Sequence, residues 1–162
     1  MAALATQRLA DLLDGVAAPT PAPGGGSSAG IACALAAALV EMAAGIGDAA
    51  GPDVVRARAL RARALELAEQ ELSSYAPVLD ARRLPVDDPA RPARIATALE
   101  QASAVPREIA AVAAEIVVLA QRAGVEVSAA VRGDAETGRL LAEAAGAAAT
   151  LLVETNERDA PA

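Results

Sequence analysis

Residues 21–47 read PAPGGGSSAGIACALAAALVEMAAGIG, and this is the most informative stretch of the sequence. It opens with two prolines that stiffen the chain and three glycines that permit unusual backbone angles. Residues 27–47 are almost entirely small or apolar, which predicts one long helix because alanine is the best helix former. Gly30, Ala34 and Ala38 recur every four residues along that helix. A second helix can therefore approach closely along this face.

The rest of the chain has the same helical character. The 162 residues are 54% hydrophobic, alanine is the most frequent residue, and the length suits one domain. Leu65, Leu72 and Leu79 fall seven residues apart, which is typical of the seam of a helical bundle. We predict helices over about residues 4–14, 27–47, 54–82, 89–103 and 134–156, and a further helix that begins at Pro106. The sequence therefore predicts an all-α bundle of five or six helices, two of them long.

Domain organisation follows from the same pattern. We interpret residues 1–156 as a single domain and residues 157–162 as a polar tail. Residues 124–133 contain three valines but have no pairing partner, so we interpret them as a loop or a helical extension. A chain so rich in alanine buries little apolar area per residue. We therefore expect two copies to pack as a homodimer.

Composition argues against several classes of protein. The net charge of −7 and the aromatic content of 1% argue against a nucleic-acid partner, which needs a basic surface. Histidine is absent and Cys33 is the single cysteine, so we expect no disulfide within the chain and no metal site. The first residues lack the pattern of a secretory signal. Residues 27–47 are long enough to span a membrane, but alanine partitions weakly into hydrocarbon, so we interpret them as a buried core helix. These observations predict a cytoplasmic protein without a membrane partner.

The start of the long helix can also bind a ligand. Gly24, Gly25 and Gly26 have no side chains, so successive amide groups can face a polar or anionic molecule at the positive end of the helix. Ser27 can cap the helix or bind the same molecule. No lysine follows, as in a Walker loop, and no strand precedes, as in a dinucleotide-binding loop. The alternative is a glycine-rich connector that lets two helices pack tightly.

The sequence resembles the formiminotransferase-cyclodeaminase C-terminal domain family. The resemblance begins with the segment Pro21–Ser27 and the small-residue helix that follows it. Similar family features then occur in the same order: Glu71 four residues before Tyr75, Leu84-Pro85, Val105-Pro106, Gly133-Asp134-Ala135 before an alanine-rich helix, and the closing Asn156. The family includes formimidoyltetrahydrofolate cyclodeaminases and methenyltetrahydrofolate cyclohydrolases.

The resemblance implies an all-helical homodimer that binds a reduced folate and uses no cofactor. The reaction it implies is closure of 5-formiminotetrahydrofolate to 5,10-methenyltetrahydrofolate with loss of ammonia, or hydrolysis of the methenyl to the 10-formyl form. Under this hypothesis, the backbone amides of Gly24, Gly25 and Gly26, together with Ser27, hold the substrate.

Glu71, Tyr75 and Asp134 are the candidate catalytic residues. Glu71 and Tyr75 lie at positions i and i+4 on one helix face, where a buried carboxyl group can act as acid or base. The alternative is that Glu71 pairs with an arginine at the surface and Tyr75 belongs to the core. Asp134 can transfer protons or hold the amino and ring N–H groups of the pterin. It can instead be the N-cap of the last helix.

Arg56, Arg63 and Asn156 are further candidates for substrate binding. Arg56 and Arg63 share one helix face, and a pair of arginines suits the glutamate tail of a folate. The alternative is a solvated face balanced by Glu66 and Glu69. Asn156 can bind the substrate or end the last helix.

Departures from the family pattern support a second hypothesis. Glu71 stands where the family usually has aspartate, and Gly133 replaces the usual serine. Residues 47–51 contain no basic residue, although many members carry a lysine after this helix. The chain can therefore also be an inactive family member that serves as a helical dimeric scaffold or a folate-binding subunit.

Overall fold

The computed structural model describes residues 3–47 and 51–161. These residues form one 3₁₀ turn, Leu4–Thr6, and six α-helices, and they contain no strand. The helices are α1 (Leu9–Ala17), α2 (Gly25–Gly47), α3 (Pro52–Ser74), α4 (Ala76–Arg82), α5 (Arg91–Glu126) and α6 (Ala129–Arg158). The predicted all-α class is confirmed, although four helices rather than two are long.

Four helices, α2, α3, α5 and α6, form a bundle. The helix α2 runs antiparallel to α3, because Gly30 lies against Ala68 and Gly45 lies against Val54. It also runs antiparallel to α6 and parallel to α5. The short helix α4 packs on the N-terminal half of α5 in a separate small apolar cluster. The bundle therefore extends beyond the start of α2 at one end.

Small residues let α2 and α3 approach closely. A Cβ atom on Gly30 would lie 2.8 Å from the Cβ atom of Ala68 and 2.9 Å from its Cα atom. Ala34, one turn further along the same face, is buried. The predicted small-residue face is confirmed at these two positions. A larger side chain at residue 30 must push the two helices apart.

Aliphatic side chains and the single cysteine fill the space between α2 and α5. Cys33 is completely buried, and its Sγ atom lies 3.8 Å from the carbonyl oxygen of Ile109. Burial raises the pKa of this thiol to about 12. A thiol that stays protonated is a poor nucleophile, so Cys33 is an inert part of the core.

One face of α2 is open to solvent. Leu35, Met42 and Ile46 are exposed by 55%, 40% and 58%. By length and composition α2 could cross a membrane, and 44% of its most apolar window is buried. The opposite side packs against three other helices. The prediction that residues 27–47 form a buried core helix is therefore confirmed for the side of α2 that packs against other helices. It is wrong for the face that carries Leu35, Met42 and Ile46.

Two predicted helices are in fact one. Residues 89–103 and the helix expected from Pro106 belong to the continuous α5, with Pro106 in its interior. A proline inside a helix removes one backbone hydrogen bond. Pro106 is fully buried, however, and the packing around it keeps the helix continuous. The predicted break is wrong because tertiary packing outweighs local propensity here.

Other boundaries also differ from the prediction. The helix expected over residues 54–82 is divided at Tyr75, and Pro77 lies in the first turn of α4, where its missing N–H group costs little. The helix expected over residues 4–14 is a 3₁₀ turn followed by α1. Leu4 and Leu12 pack together against α3, so this N-terminal segment covers part of the bundle.

The last helix is longer than expected at both ends. It begins at Ala129 after Ser128, so Asp134 lies in the second turn and the N-cap interpretation of Asp134 is wrong. It continues through Arg158, which lies in the predicted tail. Asp159 then accepts a hydrogen bond of 2.9 Å from Arg82. The first residues of the predicted tail therefore pack with the domain.

Candidate functional site

Buried polar side chains gather at one end of the bundle. In the ranges that the structure describes, the buried polar or charged residues are Ser27, Ser103 and Asn156. Ser27 is in the first turn of α2, and the other two meet between α5 and α6. Leu152, one turn before Asn156, lies beside Gly25. All three polar residues therefore lie at the end where α2 begins.

The first turn of α2 carries free amide groups. The first backbone bond of the helix runs from the Ser28 N–H group to the Gly24 carbonyl oxygen, at 3.0 Å. The N–H groups of Gly25, Gly26 and Ser27 precede this bond and have no partner within the helix. The positive end of the helix dipole lies at the same place. The arrangement that the glycine motif predicted is therefore present.

Glu71 reaches the first turn of α2 from α3. A Cβ atom on Gly26 would overlap the carboxyl group of Glu71. The glycine at residue 26 therefore leaves the space that this carboxyl group occupies. Both residues are predicted site residues, but only the antiparallel register of α2 and α3 brings them together.

Two polar atoms at this point lack partners. Ser27 Oγ and Glu71 Oε2 are buried, and neither has a hydrogen-bond partner among the residues described. An unpaired buried polar group costs about 1–3 kcal/mol. Burial raises the pKa of Glu71, and the Ser74 hydroxyl group opposes the effect only in part. A polar ligand at the first turn of α2 would satisfy the groups that the protein leaves unpaired.

Asn156 is held from the neighbouring helix. Its Nδ2 atom donates a hydrogen bond of 3.2 Å to Ser103 Oγ, and Ser103 Oγ donates one of 2.9 Å to the Leu99 carbonyl oxygen. The two polar residues line a small cavity of about 160 Å³ together with Glu100 and Glu157. The expectation that Asn156 merely ends the helix is wrong, because α6 continues past it.

Tyr75 lies at the edge of this end of the bundle. It is the residue at which α3 stops and α4 begins, and 36% of it is exposed. Its phenol group is near Arg82, whose pKa is raised mainly by the hydrogen bond to Asp159. The core interpretation of Tyr75 is therefore wrong. A role in proton transfer stays a prediction.

Asp134 lies far from Glu71 within one chain. Its neighbour Ala135 packs with Ala43 near the C-terminal end of α2. Ala43 lies about 25 Å from Gly26 along the helix, at about 1.5 Å per residue. A single chain therefore does not bring Asp134 and Glu71 together.

Arg56 and Arg63 bind carboxylates of the protein itself. Arg56 pairs with Glu115 at 2.5 Å, and Arg63 pairs with Glu108 at 2.7 Å. A further bond of 2.8 Å joins Arg63 to Glu66. The pairs with Glu115 and Glu108 connect α3 to α5, and the pair with Glu66 lies within α3. The two arginines are therefore balanced by the protein, and a folate tail would have to compete with those carboxylates.

Two features of the structure have no signal in the sequence. A groove of about 660 Å³ lies between α4 and α5, and Arg94, for which the described residues provide no ion pair, is on its wall. Ser103 is the second, since a serine inside a helix carries no signal of its own. Its role depends on the contact with Asn156, which α5 and α6 create only after packing.

Comparisons with known proteins agree with this architecture. A family model described as formiminotransferase-cyclodeaminase matches residues 8–160. The fold is similar to the crystal structure of formiminotetrahydrofolate cyclodeaminase from Thermotoga maritima, with a TM-score of 0.84 and 20% sequence identity over 96% of this chain and 81% of that one. No curated protein sequence matches the chain significantly. Since the family model covers nearly the whole sequence, the chain belongs to the formiminotransferase-cyclodeaminase family.

Proposed function

We propose that the protein is a cytoplasmic enzyme of the folate cyclodeaminase or cyclohydrolase type. The observation that carries this proposal is the pair of buried, unpaired atoms Ser27 Oγ and Glu71 Oε2 beside the free amides of α2. Family membership and the similarity to a formiminotetrahydrofolate cyclodeaminase support the same substrate class. The substrate is a reduced folate with a one-carbon unit.

Glu71 is the proposed proton carrier. In cyclodeamination, N10 of the folate attacks the formimino carbon and loses its proton, while the bond from that carbon to the amino nitrogen breaks. The formimino group reacts in its protonated, amidinium form. The single proton that Glu71 takes from N10 and gives to the departing nitrogen then lets it leave as ammonia, and the methenyl product keeps the positive charge. In cyclohydrolysis Glu71 accepts a proton from the water that adds to the methenyl carbon, and N5 takes a proton as its bond to that carbon breaks. The raised pKa of Glu71 brings the carboxyl group closer to the working pH, which favours both directions of transfer.

The first turn of α2 is the proposed substrate clamp. The N–H groups of Gly25, Gly26 and Ser27 donate hydrogen bonds to an oxygen or electron-rich nitrogen of the folate. The Ser27 hydroxyl group donates or accepts a further bond, since it has no partner in the protein. Asn156 contributes an amide at the same end of the bundle.

A homodimer is part of the proposal. The open face of α2, with Leu35, Met42 and Ile46, is an apolar surface of the kind that a second copy can cover. Sedimentation should give about twice the chain mass of 16.1 kDa. Leu35→Glu should return the protein to a single chain. A mass of 16.1 kDa for the wild type would contradict the dimer.

An absorbance assay tests the enzymatic proposal. Purified protein should consume methenyltetrahydrofolate or convert formiminotetrahydrofolate with release of ammonia. Glu71→Gln should lower kcat by about 100-fold, a typical contribution of general acid–base catalysis. Glu66→Gln is the matched control, because Glu66 is an exposed carboxylate on the same helix. Wild-type turnover in Glu71→Gln would remove Glu71 from the mechanism.

A non-catalytic role is the competing proposal. The separation of Asp134 from Glu71 within one chain favours it, because the two candidate proton carriers do not share a site there. A protein that binds folate without turnover would be a carrier or sensor. A protein that does neither would be a helical scaffold.

A further inference from the structure

The hydrogen bonds of Ser103 fix the orientation of the Asn156 amide. A hydroxyl group has one proton to donate, and Ser103 gives it to the Leu99 carbonyl oxygen at 2.9 Å. Towards Asn156, Ser103 Oγ can then act only as an acceptor. The contact of 3.2 Å from Asn156 Nδ2 satisfies this requirement. The amide therefore presents its NH₂ group to Ser103 and turns Oδ1 away from it.

The turned oxygen is available to a ligand. Asn156 Oδ1 accepts no hydrogen bond from the described residues, and it is not among the buried atoms that lack a partner. It is therefore an acceptor that solvent or a ligand can reach. Asn156 and Ser103 line the cavity of about 160 Å³ with Glu100 and Glu157, whose carboxylates are both bonded to Arg107, at 2.7 and 3.2 Å. Asn156 Oδ1 has no partner among the described residues, so it can accept a hydrogen bond from an N–H group of a ligand.

We propose that Ser103 is a positioning residue that keeps Asn156 Oδ1 directed at an N–H donor of the bound folate. The inference rests on the proposed function for the identity of that ligand. Ser103 does not touch the ligand itself. Its hydroxyl group prevents the amide from turning over, which would place a donor opposite a donor and weaken the complex.

A double-mutant cycle tests the proposal. The four proteins are the wild type, Ser103→Ala, Asn156→Ala and the double variant, and the probe is 5-formyltetrahydrofolate in calorimetry. Ser103→Ala should raise Kd by about fivefold to tenfold in the presence of Asn156 and leave it unchanged when residue 156 is alanine. Ser103→Thr, which keeps the hydroxyl group, should stay within about twofold of the wild type. Equal effects of Ser103→Ala in both backgrounds, or no effect in either, would overturn the proposal.

Controls separate positioning from folding and from the proposed function. Thr150→Ala removes a similar hydroxyl group, which bonds to a carbonyl oxygen one turn earlier at an exposed position of α6, and it should leave Kd unchanged. If the wild type binds no folate, the proposed function fails. Hydrogen exchange of the Asn156 side-chain amide then decides the orientation by itself. Faster exchange in Ser103→Ala supports the positioning role, and unchanged exchange contradicts it.

Discussion

One glutamate lies near each end of α2: Glu41 on α2 itself and Glu71 on the neighbouring α3. The first is paired with arginines, and the second has an oxygen without a partner. Near the C-terminal end, Glu41 accepts bonds of 2.8 and 2.9 Å from Arg58 and Arg61. Burial raises its pKa, but the two arginines outweigh this and leave the pKa lowered. At the N-terminal end, Glu71 has a buried oxygen without a partner, and burial leaves its pKa raised. A protein that can pair one carboxylate so well leaves the other unpaired where a ligand can use it.

The residues packed around the two ends of α2 also differ in polarity. Ala43, Ala123 and Ala135 meet at the C-terminal end in a purely apolar cluster. At the N-terminal end, Ser27 and the Ser103–Asn156 pair interrupt an otherwise aliphatic core. Buried polar groups cost stability unless they are satisfied. Their concentration at one end therefore supports the proposal that the ligand binds there.

The largest expected effect comes from filling the contact between α2 and α3. Gly30→Ala would place its Cβ atom against the backbone of Ala68, and overpacking of this kind costs about 1–3 kcal/mol. Gly133→Ala is the matched control, because its Cβ atom would meet nothing within 4 Å. It should stabilise α6 by about 0.5–1 kcal/mol. Urea unfolding should separate the two variants by about 2 kcal/mol, and equal midpoints would contradict the close contact.

A smaller effect, on activity rather than stability, is expected from Gly26→Ala. The added Cβ atom would displace the Glu71 carboxyl group, a flexible side-chain end, and leave the backbone contact intact. We expect kcat to fall about tenfold, or about 1.4 kcal/mol, with little change in unfolding free energy. Gly45→Ala, at the other end of α2, adds only an ordinary contact at 3.9 Å and should keep full activity. If both variants lose activity equally, the two ends do not differ in function.

The pH dependence of stability should distinguish Glu71 further. Its pKa is raised in the folded state, so the folded protein binds the proton more tightly than the unfolded chain. The stability this provides is present below the unfolded value of 4.5 and is lost as pH rises through the folded pKa. Glu71→Gln should therefore be more stable than the wild type at pH 7. Denaturation curves should converge below pH 4.5, and a constant difference at all pH values would contradict the raised pKa.

The smallest effect is expected from the arginine pairs between α3 and α5. Arg63 is partly exposed and already bonded to Glu108 and Glu66. Exposed ion pairs contribute about 0–1 kcal/mol, so Arg63→Gln should change the unfolding free energy by less than about 1 kcal/mol. Thermal melts at low and high salt should show the small difference disappearing at high salt. A rise in KM for folate without loss of stability would instead support the predicted role in binding the glutamate tail.

The helical fold could be predicted because residue spacing within each helix is enough to indicate it. Small-residue spacing predicted the face that contains Gly30, and leucine periodicity predicted the long helices. The errors occurred where distant contacts decide the outcome. Pro106 stays inside α5 because it is buried, and Asp134 is not a cap because α6 begins earlier.

The site was predictable only in part. The glycine motif predicted the unbonded N–H groups in the first turn of α2. The grouping of Glu71 with Tyr75 at positions i and i+4 stays a prediction, since α3 ends at Ser74. The overlap of Glu71 with the empty side of Gly26 depends on the register between two helices, which no local pattern specifies. Ser103 becomes meaningful only through Asn156, a residue more than fifty positions away in sequence.

The reactivity of the Cys33 thiol can report transient opening of the bundle. The thiol lies at the contact between α2 and α5 and is shielded from reagents while the helices are packed. A maleimide or disulfide reagent can react only during moments when these helices separate. The labelling rate of the unmodified chain therefore measures the free energy of that opening directly. Reduced labelling with a folate added would show that the ligand tightens the bundle.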